Sequence, residues 1–101
     1  MLSQPLFKQK QRVWTTYMHK PAIVLNILSS DLCQVDTGNG PVLVHMSDLQ
    51  DFEKALDTIN GVPVKPCQIQ SNLDFFKKIE PEFAARAEAA RWHPEIKTRR
   101  A

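Results

Sequence analysis

At 101 residues, 43% hydrophobic and 24% charged, the chain is long enough for one modest core and too ordinary in composition for a disordered or fibrous protein. Its net charge of +2 hides an uneven spread: residues 1–20 carry four cations and no acid, residues 21–62 six acids against Lys54, and residues 63–101 eight cations against five acids. Two distant cysteines with no CxxC pair argue against a disulfide framework or a zinc site, and no apolar run approaches the roughly 20 residues that cross a bilayer.

Cys33 and Cys67 are therefore expected to be reduced and buried, and the protein to be cytoplasmic, with no signal-peptide core at its start. Residues 1–10, MLSQPLFKQK, contain Pro5 and no clear period, and read as an arm in which Leu6 and Phe7 tack onto the core. From residue 11 to residue 46 the pattern is that of an antiparallel sheet. RVWTTY alternates Val13, Thr15 and Tyr17 on one face with Arg12, Trp14 and Thr16 on the other, and is rich in the β-branched and aromatic types that favour strands.

Three short apolar runs bounded by turn residues follow, as in a meander. PAIVLNILSS sets Ile23, Leu25 and Ile27 against Ala22, Val24, Asn26 and Leu28. LCQVDT points Cys33 and Val35 inward and Gln34 and Asp36 outward, and PVLVHM sets Val42, Val44 and Met46 against Leu43 and His45. Ser30-Asp31 and Gly38-Asn39-Gly40 supply the turns, because glycine and asparagine accept the positive φ of tight hairpins.

Residues 47–60, SDLQDFEKALDTIN, predict a helix: Ser47 and Gln50 form a capping box, and Leu49, Phe52, Leu56 and Ile59 recur at helical spacing. Residues 62–70 alternate Val62, Val64, Cys67 and Ile69 between two prolines and read as an extended edge segment. Residues 71–93 open with a second capping box, Ser71 and Asp74, and predict a helical region kinked near Pro81, with Phe75, Phe76, Ile79, Phe83 and Ala87 as its buried stripe. Residues 94–101 form a basic tail. The whole reads as a single α+β domain: a small antiparallel barrel or meander followed by two to three helices.

The sheet elements are Val13, then Ala22 and Val24, then Val35 before Gly38 and Gly40, then Val42 and Val44, and a closing turn at Asp48-Leu49. In that order, over about residues 11–50, they resemble a small SH3-like β-barrel of the KOW or Tudor type. Two features depart from that pattern: His19-Lys20-Pro21 stands where the family commonly has a glycine, and the C-terminal helices have no counterpart in the minimal fold. The resemblance implies a non-enzymatic module that presents loop aromatics and cations to nucleic acid or to peptides.

Cations neutralise phosphates, and exposed rings stack on bases. Lys8, Lys10, Arg12, Trp14, Tyr17 and Lys20 are the candidate DNA or RNA contacts of the N-terminal strand, with Lys97, Arg99 and Arg100 as a phosphate-binding tail. The competing expectation is that Trp14 or Tyr17 packs in the core and the cations form a solvated rim. A protein adaptor or homodimer is the other candidate function, using the VPVKP edge and the Phe75, Phe76 and Phe83 stripe.

His45 lacks a nucleophile motif with which to work, Asp48, Asp51 and Asp57 form an ordinary solvated face, and Gly38-Asn39-Gly40 lacks the lysine and helix of a phosphate loop. No cofactor is indicated.

Overall fold

The computed structural model describes residues 7–54, 56–59, 61–91 and 97–98. Strands β1 (Arg12–Thr15), β2 (Lys20–Ile27), β3 (Leu32–Asp36), β4 (Pro41–His45) and β5 (Leu49–Asp51) come first, with a 3-10 turn at Met46–Asp48 ahead of β5. A small hairpin of β6 (Thr58–Ile59) and β7 (Val62–Pro63) leads to helix α1 (Pro66–Ile79), a 3-10 turn (Glu80–Glu82), helix α2 (Phe83–Arg91) and β8 (Lys97–Thr98).

The main sheet has the order β5-β1-β2-β3-β4-β8. Its first five strands are antiparallel, and β8 joins β4 in parallel. The sheet is open, with β5 and β8 at its two edges, so the fold is α+β without a closed barrel. Gly38 (φ 105°) and Gly40 (φ 103°) make the β3–β4 turn, where the Gly38 N–H donates to Asp36 Oδ1 at 2.6 Å.

Both faces of this sheet are covered, which is why β2 is buried almost throughout. Phe7, Val13, Ala22, Val24, Cys33, Val35, Val44, Met46 and Leu49 form one core, on the face away from the helices. Trp14, Ile23, Leu25, Phe52, Ile59, Phe76, Ile79, Ala87 and Ala90 form the other, beneath the helices. Gln34 and Asp36, expected to face outward, are instead buried, because the helices cover their face. A bulge between Val24 and Asn26 shifts the β2–β3 register. It returns Ile27 to the core on the face away from the helices, opposite Ile23 and Leu25.

The expected helix over 47–60 does not form. Leu49 enters the core on the face away from the helices while Phe52 enters the helix-side core, so the segment must cross between the two faces of the sheet. Pairing with β1 satisfies its backbone instead: Val13 faces Asp51, Trp14 faces Gln50 and Thr15 faces Leu49. Helical spacing over so short a span cannot compete with three long-range strand pairs and two cores.

The expected edge segment over 62–70 is also corrected. Only Val62–Pro63 forms a strand, and Pro66 opens α1 at its first turn, where a missing N–H costs nothing. The Gln68 and Ile69 N–H groups both donate to the Lys65 carbonyl. The Ser71/Asp74 capping box therefore lies inside the helix, and Asp74 accepts from Gln70 Nε2 at 3.1 Å.

In place of two or three helices there is one helical run from Pro66 to Arg91, modulated at Pro81 by a single 3-10 turn. Ile79, Glu80 and Phe83 all keep right-handed helical backbone, and the Phe83 N–H donates to the Glu80 carbonyl. The run is therefore not broken. Cys33 is buried, but Cys67 is exposed in the first turn of α1, against the expectation for both thiols. Among the described residues no helix is long and apolar enough to cross a membrane.

Candidate functional site

The arm meets the sheet through a tight turn. The Gln11 N–H donates to the Lys8 carbonyl, Lys10 N–H donates to the Val24 carbonyl at 2.7 Å, and Val24 N–H donates to the Gln11 carbonyl at 3.1 Å. Two arm residues thus oppose one residue of β2, and Lys10 takes the positive φ (72°) such a bulge requires. From there the Lys10 ammonium lies over the Phe83 ring of α2, 6.0 Å from its centroid.

An open groove of about 1100 Å³ runs beneath this turn. The arm supplies Lys8 and Lys10, β1 supplies Arg12, the end of β5 supplies Asp51 and the turn after it Glu53 and Lys54, and the helical run supplies Lys77 and Glu80. Five cations therefore converge on three carboxylates. Two of those carboxylates are committed to internal bonds. Asp51 Oδ1 accepts the Glu53 and Lys54 N–H groups at 2.9 and 3.2 Å, and its Oδ2 accepts Gln11 Nε2 at 3.0 Å.

Glu80 binds Arg12 through two parallel bonds, 2.7 Å from Nε to Oε2 and 3.0 Å from Nη2 to Oε1. Arg12 also lies over the Phe76 ring, 5.2 Å from its centroid. The hydrogen bond from Arg12 holds the Glu80 carboxyl below the usual range against the opposing effect of burial, and Glu80 in turn raises the guanidinium pKa. The pair is fully ionised at neutral pH. Lys8, Lys10, Lys54 and Lys77 are exposed, and none of them forms an ion pair among the described residues.

The residues singled out in the sequence divide sharply. Lys8, Lys10 and Arg12 line the groove. Trp14 does not, and its candidacy as a base-stacking contact is corrected: it is 0% exposed, with its ring centroid 5.1 Å from that of Phe52. Alternation along β1 places Trp14 on one face, and the helices then bury that face.

Tyr17 and Lys20 are exposed, but they sit at the opposite end of the β1–β2 hairpin from Arg12, since Thr15 pairs with Lys20 whereas Arg12 pairs with Ile23. Lys97 is on β8, at the sheet edge remote from β5 and β1, and Arg99 and Arg100 lie outside the described residues. Lys97 and Arg12 therefore lie on strands at different ends of the sheet order.

The phenylalanine stripe is committed in part. Phe76 is fully buried, stacked edge-on against Phe52 and Phe75, while Phe75 and Phe83 are half-buried against the helix-side core. Phe76 is thus packed inside the protein, whereas Phe75 and Phe83 keep part of their surface exposed, as does Val62 of the VPVKP edge.

Lys54 and Lys77 escaped notice in the sequence because nothing local marks them; the pairing of β5 with β1 brings Lys54 to the arm, and the packing of the helical run on the sheet brings Lys77. Asp36 was also missed as an anchor. Its buried carboxylate accepts Arg86 Nη1 at 3.0 Å, and Arg86 also pairs with Glu82 at 2.7 Å, tying the helical run to the end of β3. Among the described residues no three His, Cys, Asp or Glu side chains are grouped so as to hold a metal ion. Comparisons with protein families, with curated proteins and with solved structures find no match to this chain.

Proposed function

We propose that this chain is a non-enzymatic nucleic-acid-binding module that grips phosphate backbone in the groove under the arm. The observation that carries the reading is the convergence of Lys8, Lys10, Lys54 and Lys77 from three separate parts of the chain, beside carboxylates of which Asp51 and Glu80 are already occupied. Ammonium groups in such a groove neutralise phosphates and release condensed counterions. The strand order β5-β1-β2-β3-β4 and the short turn at Met46–Asp48 ahead of β5 support the relation to small SH3-like sheets.

Among the described residues no aromatic side chain lines the groove, so base stacking has no part in the reading and binding is expected to be indifferent to sequence. Four lysine contacts to duplex imply a slope of log K against log salt of about −3 to −4, or a loss of about 100-fold between 50 and 200 mM salt.

Fluorescence anisotropy of a labelled duplex, titrated at both salt concentrations, tests this. Lys8→Glu with Lys77→Glu abolishes binding, while Lys20→Glu and Tyr17→Ala, at the far end of the hairpin, leave it intact. Binding lost in Lys20→Glu and kept in the groove variant would place the site elsewhere, and no binding at low salt would end the proposal.

A further inference from the structure

Among the described residues Arg12 is the only guanidinium lining the groove, and it is not offered to solvent in the way the lysines are. Its Nε and Nη2 edge, which matches a carboxylate or a phosphate in geometry, is filled by both oxygens of Glu80. Its face is taken by Phe76. Both partners nevertheless keep about a quarter of their side-chain surface exposed, 27% for Arg12 and 26% for Glu80, so the occupied fork opens onto the groove rather than lying sealed in the core.

We infer that Glu80 is a built-in anion that occupies the Arg12 fork in the floor of the groove, so that the groove offers its lysines, withholds its arginine, and takes a chain of phosphates in preference to a single one. The choice of a polymeric ligand rests on the proposed function; the masking of Arg12 does not. A tethered carboxylate competes for Arg12 at an effective concentration of millimolar order or above, which an isolated phosphate must exceed. A phosphate chain need not displace Glu80, because successive phosphates engage Lys8, Lys10, Lys54 and Lys77. Freed from Glu80, Arg12 becomes a fifth phosphate contact.

Two measurements on the full chain test this, with Glu80→Gln as the variant because the amide oxygen still accepts from Arg12 without the charge. In the first, inorganic pyrophosphate is added to ¹⁵N-labelled protein and the Arg12 Nε–H signal is followed. It shifts saturably in Glu80→Gln and not in wild type, and the backbone signals of the same spectra report that the variant is folded. Equal responses in both proteins, or none in either, would overturn the masking.

In the second, duplex binding by anisotropy is compared in wild type, Glu80→Gln, Arg12→Gln and the double variant. Glu80→Gln binds about 3- to 10-fold more tightly at low salt, with a salt slope steeper by about 0.9, and this gain vanishes in the Arg12→Gln background. A gain that persists undiminished there would mean that Glu80 acts only through bulk charge, and would overturn the inference. A pyrophosphate response in Glu80→Gln without duplex binding by either protein would uphold the masking and remove the nucleic-acid reading. Duplex binding without that response would do the reverse.

Discussion

Asn26 and Gln34 face each other across β2 and β3, with Asn26 Nδ2 donating to Gln34 Oε1 at 2.7 Å beneath the helical run. Each amide reaches on to a helix carbonyl, Asn26 to Ala87 at 3.0 Å and Gln34 to Ala90 at 3.4 Å, and Asn26 Oδ1 also accepts Gln9 Nε2 from the arm. A buried polar pair thus joins sheet, helix and arm between the small side chains Ala87 and Ala90. Asn26→Ala leaves the Gln34 oxygen without its donor and should cost about 1–3 kcal/mol, measured by urea unfolding. A cost near zero would show that the pair does not hold the helix in place.

Trp14 anchors the helix-side core, where its ring meets Phe52, which in turn meets Phe76 at 4.9 Å. Trp14→Ala should destabilise by about 3–5 kcal/mol, a large share of the roughly 5–15 kcal/mol that holds a domain of this kind together. Trp14→Phe should cost much less and leave binding to duplex unaltered. Selective loss of binding in a stable Trp14→Phe protein would return Trp14 to the interface.

The Arg12–Glu80 pair sets part of the acid limit of the fold. The Glu80 carboxyl ionises at lower pH when folded than when unfolded, so its contribution is present above the unfolded value of about 4.3 and is lost as pH falls through the lower folded value. Glu80→Gln should therefore be less stable than wild type at pH 7 by about 1 kcal/mol, as fits a partly exposed bidentate pair, and the gap should close below pH 4. Thermal unfolding from pH 3 to pH 7 reads both curves; a constant gap would contradict the assignment.

Lys10 joins a backbone constraint to a groove cation. Its φ of 72° is costly for any residue with a Cβ. Lys10→Gly should stabilise the fold by about 0.5–1 kcal/mol after allowing for the freer unfolded chain. The same change should weaken duplex binding and flatten its salt slope by about 0.9. Opposite signs in the unfolding and binding assays would separate the groove's function from its folding.

The two thiols should differ in reactivity. Burial pushes the Cys33 thiol up to about 11, whereas Cys67 is exposed in the first turn of α1. In the folded protein at pH 8 a thiol reagent should modify Cys67 quickly, and Cys33 only after denaturant is added. Modification of both at similar rates would contradict the burial of Cys33 in its core.

Much of the sheet was legible along the chain, because its determinants are local. Glycines at 38 and 40 could only make a turn of positive φ, and the runs around Val24, Val35 and Val44 have the β-branched composition and length of strands. What alternation could not report was that both faces would be covered. It separated Val13 from Trp14 correctly, but only the docked helices made Trp14 core and turned Gln34 and Asp36 from surface into buried anchors.

Residues 49–51 show the limit most directly. Their spacing suits a helix, yet β1 had an unpaired edge to fill and two cores to close, so the segment became a strand. The groove was beyond reach for a related reason. Arg12 and Glu80 are 68 residues apart, and Gln11 and Asp51 are 40 apart, so no local pattern could join them. Composition and short-range sterics determined the strands, their turns and a basic arm. The partner of each charge, and hence which cations remain available to a ligand, was decided only when the helical run packed across the sheet.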